Sequence, residues 1–553
     1  MYINVKQVSS LEKIRPDWTD GVDRIYKATV LKGEKYSYQI AVYAKENTEF
    51  RVDIKSDFGD KAKVYIVQNA VMDLPTYNTK EADFITVAPG IMPDILMPAE
   101  LENNLIRLEN SAGAVWVEVS VPENIPAGEY PIEVTLFSYN KYIREAVEIK
   151  QTMMLEVIDA GLPEQTTKYT QWFHVDCIAD IHNVSVYSEE HWDLIDKYMS
   201  LAADMGVNMI LTPVITPPLD TDEGITRPCT QLVKIEKVKD KYIFDFELLK
   251  RWINLCRKNN IEYYEMAHLF SQWGLKYSPN IKVTENGKEE YMFGWHVKAQ
   301  SDEYKDFLNQ FLPALIKFLE SEGIKDKCYF HLSDEPRHEH LSAYKYAHDL
   351  VIPLLDGCPA MDAISDVEFY DKGLIQTPVT VSSNIDKFLP KKIKNQWVYY
   401  CSSNYVDVGN RFLSMASYRN RILGLQMYKY GIEGFLQWGY NFYYNEQSRK
   451  KINPYVTTSG DKAFPSGDAF SVYPIENGVV SSLRAVVFRD ALADIEICRL
   501  LESFIGREKV IEMIDGDAGM DVTFFQYPRN SRYIPELIEK MKQEIKTYTN
   551  MRG

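Results

Sequence analysis

The sequence predicts a multidomain β plus α/β protein: an N-terminal antiparallel β-sandwich, then a (β/α)8 TIM-like barrel with C-terminal helices. Three observations carry this. Short alternating polar and apolar segments fill the first 160 positions; after Gly161-Leu162-Pro163, helical stretches alternate with short apolar runs, as parallel α/β folds require; and eight such runs follow, the number that closes a barrel. At 553 residues the chain is too long for one core. The expected units are 1–160 (sandwich), 161–480 (barrel) and 481–553 (C-terminal helices packed on the barrel).

The sandwich strands are read from 37–43, 63–67, 114–119 and 132–136, separated by turn signals at Pro122-Glu123-Asn124 and Pro126-Ala127-Gly128. The barrel strands are read at 172–176, 208–213, 261–268, 328–336, 360–364, 379–381, 397–401 and 434–438. Helices are read at 192–205, 248–259, 304–319 and, after the fourth strand, through Leu341, Tyr344, Ala347 and Leu350, whose three-residue spacing gives one buried face. Stretches 482–505 and 535–547 read as the final helices. An open doubly wound sheet is the alternative, but no G-x-G-x-x-G follows an early strand.

Net charge is −17 and the isoelectric point about 5.2, which repels phosphate backbones and anionic membranes over most of the surface. A neutral substrate fits better, and neither a nucleic-acid partner nor membrane insertion is expected. Aromatic residues make up 13% of the chain, a composition suited to stacking on sugar faces as well as to core packing. Seven cysteines without a C-x-x-C pair suggest neither a disulfide framework nor a zinc site. With no leader-like apolar region after Met1, the expectation is a cytoplasmic protein.

The chemistry centres on Cys328-Tyr329-Phe330-His331-Leu332-Ser333-Asp334-Glu335-Pro336, an apolar run that ends in two adjacent acids and a helix-compatible proline. Ser333 or Asp334 could equally serve as a helix N-cap. What favours chemistry is the recurrence of polar residues at other strand ends, the rim where barrel active sites form. These are His174 and Asp176 after the first strand, Asp220 after the second, His268 and Trp273 after the third, Tyr399 at the seventh, and Trp438 and Asn441 at the eighth; Asp468, on a later turn, is an outlying candidate. No H-x-H or H-E-x-x-H spacing supports a metal, and no cofactor is expected.

Retaining glycosidases with a protein nucleophile place two acids about 5 Å apart, usually on different strands. Adjacent acids suggest another division of labour. If the substrate carries a 2-acetamido group, its carbonyl oxygen can attack C1, leaving one carboxylate to hold the amide and the other to protonate the leaving oxygen.

Ser333-Asp334-Glu335-Pro336, Trp397-Val398-Tyr399-Tyr400-Cys401, Arg421-Ile422-Leu423-Gly424, Gly434 to Asn441, and Ser482-Leu483-Arg484 with Arg489-Asp490 together resemble glycoside hydrolase family 123 with its associated C-terminal domain of formerly unknown function. The resemblance spans roughly residues 165–505 and, more weakly, the N-terminal region. It implies a retaining exo-acting β-N-acetylgalactosaminidase with substrate-assisted catalysis on glycans or glycosphingolipid oligosaccharides. In that reading Asp334 orients the acetamido group, Glu335 is the general acid/base, Tyr399 bonds the acetamido oxygen with Tyr400 an equally available phenol, and Trp438 walls the sugar. The chain departs from the family pattern at Leu425 and at Ala491-Leu492, which bears on substrate choice more than on the chemistry. The alternatives are a β-N-acetylglucosaminidase of the same mechanism and a non-catalytic carbohydrate-binding protein on a hydrolase scaffold.

Overall fold

The computed structural model describes residues 2–77, 81, 83–140 and 145–552. Ahead of residue 162, ten strands make two five-stranded sheets. In the first, Ile3–Ser9, Lys35–Ala44, Ser111–Ser120, Ala62–Met72 and Gly90–Pro98 lie side by side in that order, all neighbours antiparallel. In the second, the order is Lys27–Lys32, Glu145–Gly161, Gly128–Asn140, Thr48–Ser56 and Leu105–Leu108. One pairing breaks the antiparallel expectation, because Lys27–Lys32 runs parallel to Glu145–Gly161. Alternation turns one face of each sheet inward: Phe50 and Val52 are buried while Glu49, Arg51 and Asp53 are exposed. Ile40, Val42 and Val117 of one sheet meet Phe50, Leu136 and Leu155 of the other in a single cluster.

The second half is an eight-stranded parallel sheet in sequence order: Lys168–Gln171, Met209–Thr212, Tyr263–Met266, Cys328–Phe330, Met361–Ile364, Thr377–Val381, Trp397–Tyr399 and Gly434–Gln437. The eighth strand pairs with the first, and between the fourth and fifth a bridge joins Phe330 to Ala360, with the Phe330 N–H donating to the Pro359 carbonyl at 3.0 Å. The sheet is therefore a nearly closed barrel. Its interior is filled by Trp172, Met209, Leu211, Met361, Ala363, Val379, Trp397, Tyr399 and Leu436. Gly434 is obligatory in this packing, since a Cβ there would sit 2.1 Å from the Trp397 ring.

The crossovers are less regular than an ideal (β/α)8 repeat. Full helices Glu189–Asp204, Glu247–Lys258, Asp302–Ser321, Leu341–Val351 and Tyr418–Tyr430 follow the first four strands and the seventh, and Leu483–Ile505 follows the eighth after a long excursion. After the fifth strand there is one helical turn, Glu368–Asp371, and after the sixth only 3-10 turns, Ser382–Lys387 and Leu389–Lys391. Pro390 inside the second of these lacks the N–H that a continuing helix needs. The loops after the second and third strands also raise a four-stranded sheet, Lys234–Val238, Lys241–Asp245, Ile281–Glu285 and Lys288–Phe293, whose Lys- and Glu-rich segments give little apolar signal.

Two strand expectations are corrected. The run 172–176 is not the first strand, which ends at Gln171; Val175–His182 is a helix, with Asp176 in its first turn. Residues 331–336 are not strand either, and after Pro336 the chain makes a 3-10 turn, His338–His340, before Leu341–Val351 begins. The first error arises because a buried apolar run at a barrel rim looks like strand interior whether or not it carries ladder bonds, and the second because the apolar strand Cys328–Phe330 leads without a break signal into the acid stretch.

The later motif blocks tie the two halves together. Arg484 forms a buried pair with Asp94 (2.8 Å), and Arg489 another with Glu118 (2.6 Å), linking Leu483–Ile505 to the N-terminal sheets. Gly424 lies against Ala491, whose carbonyl would be 2.2 Å from an added Cβ, so these two helices approach at small residues. Arg421 crosses the same seam to Asp494 at 2.8 Å. Beyond them, Arg507–Ala518 was not anticipated, and Tyr533–Arg552 contains the expected last helix.

Candidate active site

In a parallel barrel every strand's C-terminal end opens on one face, so the residues that follow the strands share a rim. The acid pair rides on the coil after Phe330. Asp334 is buried, and its Oδ2 accepts a 2.5 Å hydrogen bond from Gln272 Nε2. Glu335 is half-buried with φ +45°, a left-handed conformation uncommon for a residue other than glycine. There Oε1 accepts a 2.6 Å bond from the Tyr399 hydroxyl. Tyr399, to which the resemblance assigns the acetamido oxygen, is thus bonded to the second acid. Burial first, then the neighbouring Glu335 charge, push the Asp334 carboxyl well above the ordinary carboxylate range, against the pull of Gln272 and His331.

Gln272 joins three elements. Its Oε1 accepts from the Asp220 N–H (2.6 Å) while its amide donates to Asp334. Asp220, at φ +39°, accepts from the Gln447 N–H at 3.1 Å, and burial pushes its carboxyl up to about 6. Trp273, more than a third exposed at φ +54°, donates its N–H to the Asp334 carbonyl at 3.2 Å.

A second group stands at the first and eighth strands. Asn441 locks onto the His174 backbone in both directions, accepting its N–H at 2.8 Å and donating to its carbonyl at 3.0 Å. His174 Nε2 contacts the Trp438 carbonyl at 3.0 Å, while Nδ1 faces the Arg227 guanidinium at 3.3 Å. Arg227 forks onto Asp176 at 2.6 and 2.7 Å, both side chains buried, and lies over the rings of Phe442 and Tyr444. Burial, then the Arg227 charge, bring His174 down to about 3, so it is neutral, with Nε2 protonated and Nδ1 accepting. Trp438 Nε1 donates to Asp468 Oδ2 at 3.0 Å, and burial pushes that carboxyl up to about 7.

Two candidates fall away from the rim. Tyr400 points out of the barrel and donates to Asn420 of the Tyr418–Tyr430 helix at 2.9 Å, packed against Phe435. With strand side chains alternating, Tyr399 and Tyr400 cannot both face the interior. His268 lies in the interior, stacked on His331 with ring centroids 4.1 Å apart and edge-on to Trp172; among the described residues its ring nitrogens have no hydrogen-bond partner. Sequence reasoning missed Gln272, Arg227, Glu265, His331 and Asp362. The signals were present for two: Gln272 adjoins Trp273, and His331 lies inside the acid stretch.

Two groups among the described residues bring donors close enough to hold a cation: His268, His331 and Asp362, and His338, Asp366 and Glu368. In the first, both ring nitrogens of His331 already face carboxylates, Glu265 Oε1 at 2.6 Å and Asp362 Oδ1 at 3.0 Å, leaving no lone pair for a metal. In the second only His338 is exposed, Asp366 and Glu368 being half-buried, and its Nδ1 lies 2.9 Å from Glu368 Oε2.

A nearly closed parallel barrel with carboxylates at its C-terminal rim is an architecture that glycoside hydrolases share with many other enzymes. The glycoside hydrolase 123 catalytic domain matches residues 172–501, more than half of the chain, and the chain belongs to that family. Among solved structures, a family 123 glycoside hydrolase from Clostridium perfringens, described in connection with glycolipid glycan hydrolysis, is similar at a TM-score of 0.72 and 15% identity over 99% of this chain and 98% of that one. At that identity the likeness shows the fold. A Parabacteroides merdae β-glucuronidase holding glycerol in its active site is 11% identical over 89% of this chain and 52% of its own, but its TM-score of 0.32 carries no argument. No curated protein sequence matches significantly.

Proposed function

We propose that this glycoside hydrolase is a retaining, exo-acting β-N-acetylhexosaminidase, with β-linked N-acetylgalactosamine as the preferred terminal sugar of glycans or glycosphingolipid oligosaccharides. One observation carries the reading: the consecutive acids have separate partners, Asp334 on Gln272 and Glu335 on Tyr399. That separation suits two different tasks on one sugar. The acetamido oxygen attacks C1 as Glu335 protonates the leaving oxygen; Asp334 accepts the amide N–H and stabilises the cyclic oxazolinium; Glu335 then takes a proton from the water that opens it. Two inversions at C1 give net retention. Tyr399 moves its hydrogen bond from Glu335 to the acetamido oxygen when substrate enters, and Trp438, held by Asp468, walls the ring. The Clostridium perfringens relative's link to glycolipid glycans supports the substrate class.

We read the two N-terminal sheets as an accessory sandwich. All seven cysteines are unpaired, which supports a reducing, cytoplasmic location. Among the described residues no helix is long and apolar enough to cross a membrane.

The test is hydrolysis of nitrophenyl β-GalNAc, β-GlcNAc and β-galactoside side by side, with proton NMR of the first-formed anomer. Cleavage of the GalNAc substrate with retention, and little of the galactoside, is expected. An inverted product or equal cleavage of the galactoside overturns substrate assistance, faster GlcNAc turnover reassigns the sugar, and binding without hydrolysis makes the protein a lectin on a hydrolase scaffold.

A further inference from the structure

The interior of the barrel beneath the acid pair holds a buried ionic group whose charges can be read by counting donors. Glu265, on the third strand, accepts from three: the Thr170 hydroxyl at 2.5 Å on Oε2, and the Trp172 indole N–H at 2.7 Å and His331 at 2.6 Å on Oε1. Asp362, on the fifth strand, accepts from the Tyr344 hydroxyl at 2.6 Å, the backbone N–H groups of Leu332 (3.1 Å) and Ser333 (3.3 Å), and His331 Nδ1 (3.0 Å). Indole and peptide N–H groups can only donate, so these carboxyls serve as acceptors, the role of the ionised form. An imidazole with a carboxylate at each nitrogen carries both protons. All three side chains are fully buried.

We infer that His331 is a positioning residue charged at neutral pH, an imidazolium clamped between Glu265 and Asp362 that draws the carboxyl of the neighbouring Asp334 down against its burial and, through Asp362, fixes the backbone leading into the acid pair. This rests on the proposed role of Asp334 as the carboxylate that stabilises the oxazolinium. Asp334 needs such help: it is buried next to a second acid, and two carboxylates in one enclosed site resist joint ionisation. The groups acting on it are Glu335, Gln272, His331 and Asp362; the imidazolium is the cation among them. Those facing His331 are Glu265, Asp362 and the stacked His268, with Thr170, Trp172 and Tyr344 behind the acids. Burial strips the proton from His268, so the stack sets a neutral ring on a charged one. Against its own burial, the bonds to Asp362 and Glu265 lift His331 to about 9. The same clamp has a mechanical side, because Asp362 grips the backbone one and two residues before Asp334.

The charge makes an opposite-sign test available. His331→Gln removes the cation, so Asp334 should titrate higher and the acidic limb of kcat/KM should move up by about one pH unit, the scale of losing a nearby opposite charge. Asp362→Asn keeps an acceptor for the two backbone N–H groups but removes an anion, so the limb should move down. A merely structural role would lower kcat in both variants without shifting the limb in opposite directions, and that result overturns the inference. Two measurements on the wild-type protein need no folded variant. Nitrogen-15 NMR should show both His331 ring nitrogens protonated at pH 7 to 8, and a neutral tautomer there overturns the inference. The Asp334 carboxyl carbon-13 shift should report an anion at the pH of maximal activity. If the anion and imidazolium are present but 2-acetamido substrates are not cleaved, the functional reading fails while the clamp stands.

Discussion

His174 and His331 are both buried in one barrel, and they carry different charges. His174 meets an arginine on one nitrogen and a carbonyl on the other, so one nitrogen must accept and the ring stays neutral. His331 meets two carboxylates, so both nitrogens must donate and the ring is a cation. Desolvation disfavours the charge in each; what decides is whether the facing groups are donors or acceptors. On the His174 side the cation is Arg227, already spent on Asp176, and the arrangement shapes a wall. On the His331 side the cation faces the acid pair.

The largest effect that would break this contrast is at the acid pair. Glu335→Gln should lower kcat/KM on natural glycans by ~10²-fold or more, the scale of general acid catalysis, and much less on dinitrophenyl glycosides, whose leaving groups need little protonation. Equal losses on both would remove Glu335 from the acid role.

Arg227→Met should act on the other side chiefly through stability. It strands Asp176 without its partner, and an unpaired buried charge of this kind costs about 3–5 kcal/mol. Urea denaturation would measure it; a loss below about 1 kcal/mol would mean that Asp176 takes a proton or finds water.

The pH dependence of stability sharpens the contrast by its sign. His174 and His191, the latter buried in the first turn of the Glu189–Asp204 helix, are lowered to about 3 and about 4, chiefly by burial, so their contribution is present above the unfolded value of ~6.5 and is lost as pH falls through about 4 and about 3. His331 is raised, so its contribution is full below ~6.5 and is lost as pH rises through about 9. Asp468, raised to about 7, and Asp220, raised to about 6, also withdraw stability with rising pH, but below the upper part of the His331 window. Melting temperature against pH should fall at both ends, and His331→Gln should flatten the fall between about 7 and 9. An unchanged alkaline slope would reassign it.

The smallest effect separates the two tyrosines. Tyr400→Phe should cost about 1 kcal/mol, one hydrogen bond to Asn420, and leave kcat unchanged, whereas Tyr399→Phe should change kcat with little loss of stability. The converse would reverse their sides of the strand.

These residues also mark what could be read in advance. The alternation at Trp397-Val398-Tyr399-Tyr400 shows that one tyrosine faces in and the other out, but which is inward depends on register against strands far away in sequence. Asp334 and Glu335 stood out because adjacent acids at a strand end are rare in a core; His331, three residues earlier, looked like an ordinary core histidine until Glu265 and Asp362 arrived from the neighbouring strands. Arg227 lay in a loop with no periodic signal, so nothing local pointed to Asp176.

By itself the sequence determined what short-range chemistry can encode: two β-rich sheets followed by eight parallel strands, helices from their periodic faces, the acid pair, and the family through its ordered motif blocks. The tertiary structure alone decided which polar groups meet. Hydrogen-bond partners in a barrel come from strands separated by tens of residues, and the charge of a buried group follows those partners. So Gln272 became the link between Asp220 and Asp334, Asp176 went to Arg227, and a core histidine became a cation because closure set it between two acids.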